Sequence, residues 1–411
     1  MKDENTGVTR RNFLSTAVTG IVSAGFLGSL TGRAFPQEKK PDDTKSEKTE
    51  KVIIHRKLGK TGISMPIVSM GVMNSDNPEV VRASYEIGIR HFDTAAYYQR
   101  GRNEEMVGKV IKELGGRDKV VIATKIFHPG IRSETKEADV PKTVERLCEE
   151  SLKRLQMDYV DILYVHNLKS TGTASDETVM KAMTKLKEKG KAKHIGVTTH
   201  TQMHRIINEA VSAGVWDVIL TVLNFTLADY TELLTAIENA AAKGVGIIAM
   251  KTQAGSQRRT KIDFGDEYSG STIATAALKW VLHNKNITTA VPGYTTFEHM
   301  REDFSVVGDL TLTPDEKKLL SDQKVKVGMG FCRQCELCRV TCPRGVDIPT
   351  LMRTHMYAAR YTNFLQARAA LSEIPAGCGL EACSDCRKCT ARCMHSIDIA
   401  GNIDELRQIY V

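Results

Sequence analysis

The sequence predicts an α/β chain: a (β/α)8 barrel followed by a small, mainly helical module organised around metal-binding cysteines. Two observations carry this expectation. Between Lys51 and about Asp309, eight short apolar runs alternate with amphipathic segments of helical period, and eight strand–helix units over roughly 250 residues suffice to close a barrel. Beyond that stretch the chemistry changes, because nine of the ten cysteines lie after residue 330. Such crowding indicates metal in preference to a disulfide framework spread through the chain.

Composition agrees with an ordinary globular protein, 41% hydrophobic and 26% charged. The formal charge of +8 is modest, and no basic stretch interleaves with aromatics, so no nucleic-acid partner is expected. No apolar run is long and uniform enough to read as a transmembrane helix.

The first residues read as an address. Thr9-Arg10-Arg11-Asn12-Phe13-Leu14 precedes a moderately apolar stretch from Ala17 to Leu30, with small residues Gly32 and Ala34 before Phe35. A charged start, an apolar middle and a small-residue exit make a secretory signal, and the paired arginines resemble the twin-arginine subtype. The expectation is therefore a periplasmic or otherwise extracytoplasmic protein, exported by the twin-arginine translocase after folding around its cofactors. Residues 1–34 form this signal, 35–51 a polar linker, 52–325 the barrel and 326–411 the cysteine-rich module.

Strands are expected at Ile67–Met73, Arg90–Thr94, Val120–Ile126, Tyr159–His166, His194–Thr199, Val218–Asn224, Gly246–Lys251 and Thr288–Pro292. Helical period marks Glu104–Leu114, Pro141–Met157, Glu177–Lys189, Glu232–Lys243 and Thr272–Asn284. The rival is a doubly wound open sheet, for which Gly244-Val245-Gly246 offers a formal dinucleotide fingerprint. Those glycines enter a strand, whereas the fingerprint must leave one and open a helix.

In a barrel of this kind, polar residues at strand C-termini line the active site. Asp93 ends the second strand, Tyr98 follows it, Lys125 lies near the end of the third and His166 closes the fourth. A free tyrosine titrates near ~10 and donates its proton poorly; a neighbouring lysine cation, held by the aspartate, is expected to lower that value. The histidine would orient a bound carbonyl. The run Phe92-Asp93-Thr94-Ala95-Ala96-Tyr97-Tyr98, then Glu104-Glu105 and Gly108, with Thr124-Lys125 and Ile195-Gly196-Val197, resembles the aldo/keto reductase signature. That resemblance spans nearly all of Lys51–Asp309. It implies that Tyr98 is a general acid tuned by Lys125 and Asp93, that His166 positions substrate, and that a nicotinamide exchanges hydride with a carbonyl or alcohol of a small molecule.

The resemblance also implies a cofactor site at Thr198, Thr199, Pro292, Gly293, Glu302 and Asp303, with departures. Thr198-Thr199 stands where the family carries Ser-Asn, Leu220 replaces a glutamine, and Thr295 and His299 replace the lysine and arginine that hold a 2′-phosphate. Asp303 stands for an asparagine. Losing two cations argues against a strong NADP preference, so NAD, NADP or neither stays open.

Cys332, Cys335, Cys338 and Cys342-Pro343 form one compact run, and Cys383, Cys386, Cys389 and Cys393 repeat its spacing. Zinc ribbons separate their cysteine pairs much further. The runs resemble a bacterial dicluster ferredoxin, in which the fourth cysteine of each run reaches the other cluster. Two [4Fe–4S] clusters are thus implied, one on Cys332, Cys335, Cys338 and Cys393, the other on Cys383, Cys386, Cys389 and Cys342. Cys148 is read as core and Cys378 as a spare thiol. The functional expectation is an oxidoreductase whose clusters relay electrons to a redox protein. Its difficulty is that a hydride carries two electrons, the clusters take one at a time, and no flavin motif is evident. The alternatives are an electron-transfer or binding protein with a non-catalytic barrel, or a reductase whose clusters are purely structural.

Overall fold

A computed structural model describes residues 52–128, 136–255, 270–383, 386 and 388–411. The arginine-pair signal and the polar linker lie outside the described residues, as does most of the 252–268 loop.

The chain first makes a short antiparallel hairpin, β1 (His55–Lys57) and β2 (Ser64–Pro66). Eight parallel strands follow in sequential order: β3 (Met70–Gly71), β4 (His91–Asp93), β5 (Val121–Phe127), β6 (Val160–Leu168), β7 (Ala192–Thr199), β8 (Val218–Val222), β9 (Gly246–Met250) and β10 (Thr289–Ala290). Parallel bridges Val68 to Ala290 and Gly71 to Gly293 join the last strand to the first and close the cylinder. The expected barrel is present, and all eight expected strands appear within a few residues of their predicted limits.

After each strand comes one helix: α1 (Pro78–Ile87), α2 (Arg102–Glu113), α3 (Val140–Leu155), α4 (Glu177–Glu188), α5 (Met203–Ala213), α6 (Thr231–Ala242), α7 (Gly270–His283) and α8 (Phe297–Ser305). α3 shows why: Val144, Cys148, Leu152 and Leu155 recur at helical spacing and are buried together against the sheet. Each such side chain contributes roughly 1.5–3 kcal/mol on burial. Pro141 sits in the first turn, where its missing N–H costs nothing.

The hairpin was not anticipated. It plugs the base of the barrel, where Leu58 and Met65 pack with Ala123, Ile162, Tyr164, Leu220 and Ile248 inside the cylinder. Its turn requires Gly59, at φ +50°, because an added Cβ would lie 2.4 Å from the Gly244 carbonyl. With the base filled, only the opposite mouth remains for ligands.

After α9 (Pro314–Ser321) and α10 (Gln323–Gly328) the tail carries α11 (Ile348–His355), α12 (Phe364–Leu371) and α13 (Ile399–Tyr410). These share a separate apolar core of Ile348, Leu351, Ala367, Ala370, Ile403 and Leu406. The helix expected over Ile348–Leu371 is interrupted: Met356–Arg360 forms a π-turn, and Thr362 adopts a left-handed φ of 48° before α12. Such bulges commonly mark functional sites.

Candidate active site

Asp93, at the end of β4, and Lys125, near the end of β5, stand on adjacent strands at the open mouth. The Lys125 ammonium donates to the Asp93 carboxylate and, at 2.6 Å, to the Thr94 carbonyl. Burial pushes Asp93 up and Lys125 down, while their mutual attraction opposes both shifts. Tyr98 follows on a tight turn in which Gln99 and Arg100 both take left-handed backbone, φ 51° and 59°. For residues other than glycine that costs of order 1 kcal/mol each. The strained turn holds the Tyr98 ring with its centre 5.1 Å from the Lys125 ammonium.

His166 lies on β6, its ring centre 6.0 Å from that of Tyr98 and nearly perpendicular to it. Phe127 stacks on the His166 ring at 5.3 Å, and Tyr97 packs on both. The four residues singled out by sequence thus meet in one place. One expectation is corrected. Tyr98 is raised well above its ordinary value, because burial dominates and the Asp93 charge adds to it. With Lys125 paired to Asp93, its pull does not outweigh that burial, and the hydroxyl is held protonated.

The neighbouring motif residues serve the scaffold. Glu104, fully buried on α2, accepts from Thr124 Oγ1 at 2.5 Å and from Arg154 Nε at 2.6 Å. Asn103 ties α2 to the carbonyls of Val72 and Ser75. Gly108 permits close contact with α3, since a Cβ there would come 2.1 Å from the Leu155 carbonyl. Glu105 is exposed.

Asp93, Tyr98 and His166 line a cavity of about 80 Å³ together with Pro292, Gly293 and Met250. An adjoining groove of about 710 Å³ shares Asn74, Gln253, Gly293 and Tyr361 with it and runs past Thr295, His299 and Arg102. The nicotinamide positions divide. Pro292 and Gly293 line the cavity. Thr198 and Thr199 do not: Thr198 Oγ1 accepts from the Asn167 amide, and the Thr199 hydroxyl donates to the Leu168 and Thr201 carbonyls. Asp303 is buried on α8 and accepts from Gln253 Nε2 at 2.8 Å, and Glu302 is part-buried beside it. The groove has the size of a dinucleotide site. Arg102 is its one lysine or arginine among the described residues, so the residues present suit a dinucleotide without demanding a 2′-phosphate.

Sequence reasoning missed the tail's part in this site. Tyr357 and Tyr361, on and just after the π-turn, are walls of the small cavity. Gln366 donates to Tyr97 Oη at 2.6 Å, and Asn363 donates to Asn74 at 2.9 Å. Arg353 donates to Asn167 Oδ1 at 3.1 Å and pairs with Glu373, which also holds Asn167 and Lys169. The fourth strand, expected to end at His166, runs on to Leu168 through a register shift, and Asn167 takes a φ of 55° to face the tail. Lys251 joins the cavity wall from the end of β9. Only its place at a strand end hinted at this, and nothing local to Tyr357 did.

The cysteines assemble across the two runs. Burial raises Cys332, and the thiols of Cys338, Cys335 and Cys393 add to it; burial also raises Cys383, opposed by Arg407 and reinforced by Cys386, Cys342 and Cys389. The His395 amide donates to Cys393 Sγ at 3.3 Å. Left-handed Gln334 and Glu336, φ 55° and 64°, turn the first loop around its thiols. Among the described residues no three such side chains close on a single metal ion; a four-iron cage is wider than one ion, and all-sulfur donors suit it. Cys148 is buried in the barrel core, as expected.

A closed (β/α)8 barrel with these groups at its mouth, capped by a module of two four-cysteine runs, defines a redox enzyme of two parts. The chain belongs to the aldo/keto reductase family, whose profile matches residues 62–322, and a 4Fe-4S dicluster domain matches residues 331–398. It is 29% identical over 299 residues to L-galactose dehydrogenase of Arabidopsis thaliana, covering 65% of this chain and 92% of that protein. Among solved structures, an aldo-keto reductase from Bacillus halodurans in its holo form superposes with a TM-score of 0.52 at 22% identity, over 67% of this chain and 96% of that one. An aldo/keto reductase from Klebsiella pneumoniae, in complex with NADP and acetate, gives 0.51 at 22%, over 64% and 92%. The protein is therefore an aldo/keto reductase-type oxidoreductase with a dicluster domain.

Proposed function

We propose that the protein interconverts a carbonyl and an alcohol on a small organic substrate, with Tyr98 as proton donor and acceptor. The observation that carries this reading is that Tyr98, His166 and Asp93 line one pocket with Pro292 and Gly293, with the Lys125 ammonium bonded to Asp93 and 5.1 Å from the centre of the Tyr98 ring. His166 orients the substrate oxygen toward Tyr98. Tyr98 gives its proton to that oxygen in reduction and receives it in oxidation, and Lys125 steadies the phenolate left behind. Asp93 keeps Lys125 in reach, and the stacked Phe127 and Tyr97 fix the His166 ring. A nicotinamide bound along Pro292 and Gly293 would supply or accept the hydride. Thr295 and His299, in place of cations, favour NAD; the NADP of the Klebsiella relative makes NADP the other arm of the test.

The same reading assigns two [4Fe–4S] clusters to the crossed cysteine sets and an electron relay toward a redox protein. Its support is proximity: Lys251 and His200 line both the reaction cavity and a second cavity that contains Cys332. It also places the mature chain outside the cytoplasm, on the strength of Arg10-Arg11 and the apolar run behind them, with boundaries at 34, 51 and 325.

Anaerobic calorimetry with NAD and with NADP, followed by turnover of an aldehyde panel, tests the chemistry. Binding of one nucleotide and activity lost in Tyr98→Phe are expected, and absence of both would refute it. Visible absorbance tests the relay: an alcohol substrate plus oxidised nucleotide should bleach the clusters, the two electrons of one hydride reducing one cluster each, and unchanged spectra would make them structural. Export is checked by fractionating cells that carry Arg10→Lys with Arg11→Lys, which should retain the protein in the cytoplasm.

A further inference from the structure

Lys251 has no part in the proton transfer described above, yet its placement is costly. It follows β9 with a φ of 55°, a left-handed backbone that a lysine adopts only under constraint. Asn224 Nδ2 fixes that turn by donating to the Lys251 carbonyl at 3.1 Å. The side chain is thereby aimed at the mouth, where its ammonium donates to Tyr357 Oη at 3.2 Å and sits over the Tyr357 and Tyr361 rings at 4.4 and 5.3 Å.

The charges around it do not balance. Lys125 is matched by Asp93, while Arg353 and Lys169 share Glu373. Lys251 has no carboxylate partner among the described residues, and its perturbing neighbours are both cations. Burial, with Arg353 and Lys125 adding to it, pulls it down to about 7. An anion bound beside this amine would hold it charged and offset the two neighbouring cations.

The dicluster domain could be that anion, since Cys332 lies in the neighbouring cavity. Arg360, however, lines that cavity too and is a second cation available to it. Lys251 instead engages Tyr357, whose hydroxyl contributes to the electrostatics of Tyr98.

We infer that Lys251, with the Tyr357 hydroxyl, forms an anion subsite that receives a carboxylate on the substrate opposite Tyr98 and His166, so that the enzyme acts on carbonyl or hydroxy acids. The inference rests on the proposed carbonyl chemistry for its reaction but not for its binding. The subsite is assembled jointly by the barrel and the tail, so neither part supplies it alone. Lys251 is a specificity-determining residue here, and it takes no proton from the reacting carbon or oxygen.

The test compares oxo acids with their methyl esters, pyruvate and succinic semialdehyde among them, on the cluster-loaded protein under anaerobic conditions. Binding is read by calorimetry and turnover by nucleotide absorbance. In the unaltered protein the acid should bind about 10- to 100-fold more tightly than its ester, the range of a charge-assisted hydrogen bond. Lys251→Met should abolish that ratio by raising KM for the acids far more than KM for the esters, and Lys251→Arg should restore part of it. Equal binding of acids and esters by the unaltered protein would overturn the inference. So would a Lys251→Met variant that shifts the cluster potentials and keeps the acid preference, because Lys251 would then serve the cluster. Selective acid binding without any turnover would uphold the subsite while refuting the carbonyl reaction.

Discussion

Replacing Asp93 by asparagine tests the buried ion pair on which the site is built. The Asp93 and Lys125 side chains are 5% and 1% exposed. Deleting one member of such a pair costs about 3–5 kcal/mol, because the other charge is left without compensation. The Thr94 carbonyl, at 2.6 Å, remains an acceptor for Lys125, and an asparagine oxygen keeps a neutral one, which places the loss near 3 kcal/mol at pH 7. Lys125 can limit the damage by releasing its proton. In the variant its folded-state pKa falls further below the unfolded value of ~10.4, so the unfolded chain binds more protons between those two values. Stability then rises with pH across that window. The deficit is therefore largest at low pH and shrinks as pH approaches ~10. Anaerobic thermal melts of the cluster-loaded protein from pH 6 to 10 read this as a shift of order 5 °C at pH 7, narrowing upward. A deficit below about 1 kcal/mol at pH 7, or one that widens with pH, would refute the reasoning.

Tyr98→Phe should lower kcat about 10²- to 10⁴-fold, the usual worth of a positioned general acid, with melting unchanged; steady-state kinetics and a melt check both. Gly108→Ala should destabilise the barrel by more than about 2 kcal/mol through overpacking, because its Cβ would meet the Leu155 carbonyl; urea unfolding reads it. Glu373→Gln leaves Arg353 buried with only neutral acceptors, the new amide oxygen and Asn167, and should loosen the tail, seen as faster hydrogen exchange in 348–371 while the barrel strands stay protected. Cys393→Ala should remove one cluster and half the iron. Adding Cys332→Ala should remove no more, whereas adding Cys383→Ala should empty both sites; iron analysis on the three variants distinguishes crossed from sequential ligation.

The strand–helix alternation was legible because each barrel element sees the same surroundings, a sheet inside and water outside. Runs such as Val160–Val165 and the stripe Val144, Cys148, Leu152 and Leu155 therefore carry their period openly. The hairpin at His55–Pro66 escaped notice, since three-residue strands are too short to show alternation. Asp93, Tyr98, Lys125 and His166 were legible from their positions at or just beyond strand ends. Thr198 and Thr199 occupy comparable positions, but their hydroxyls turn to local backbone carbonyls and amides. Whether a hydroxyl faces the cavity or its own chain is settled by bond geometry that sequence position does not encode. Tyr98's raised pKa was missed for a related reason: charge sign can be read along the chain, and burial cannot.

By itself the sequence determined the barrel, the two cysteine runs and the four groups at the mouth, because each depends on local period or fixed spacing. Only the tertiary structure decided that the dicluster domain folds over that mouth. Tyr357 and Tyr361 narrow the pocket there, and Lys251 is left without a carboxylate partner among the described residues. These juxtapositions join residues about a hundred positions apart through packing and charge, and no local pattern records which surfaces will meet.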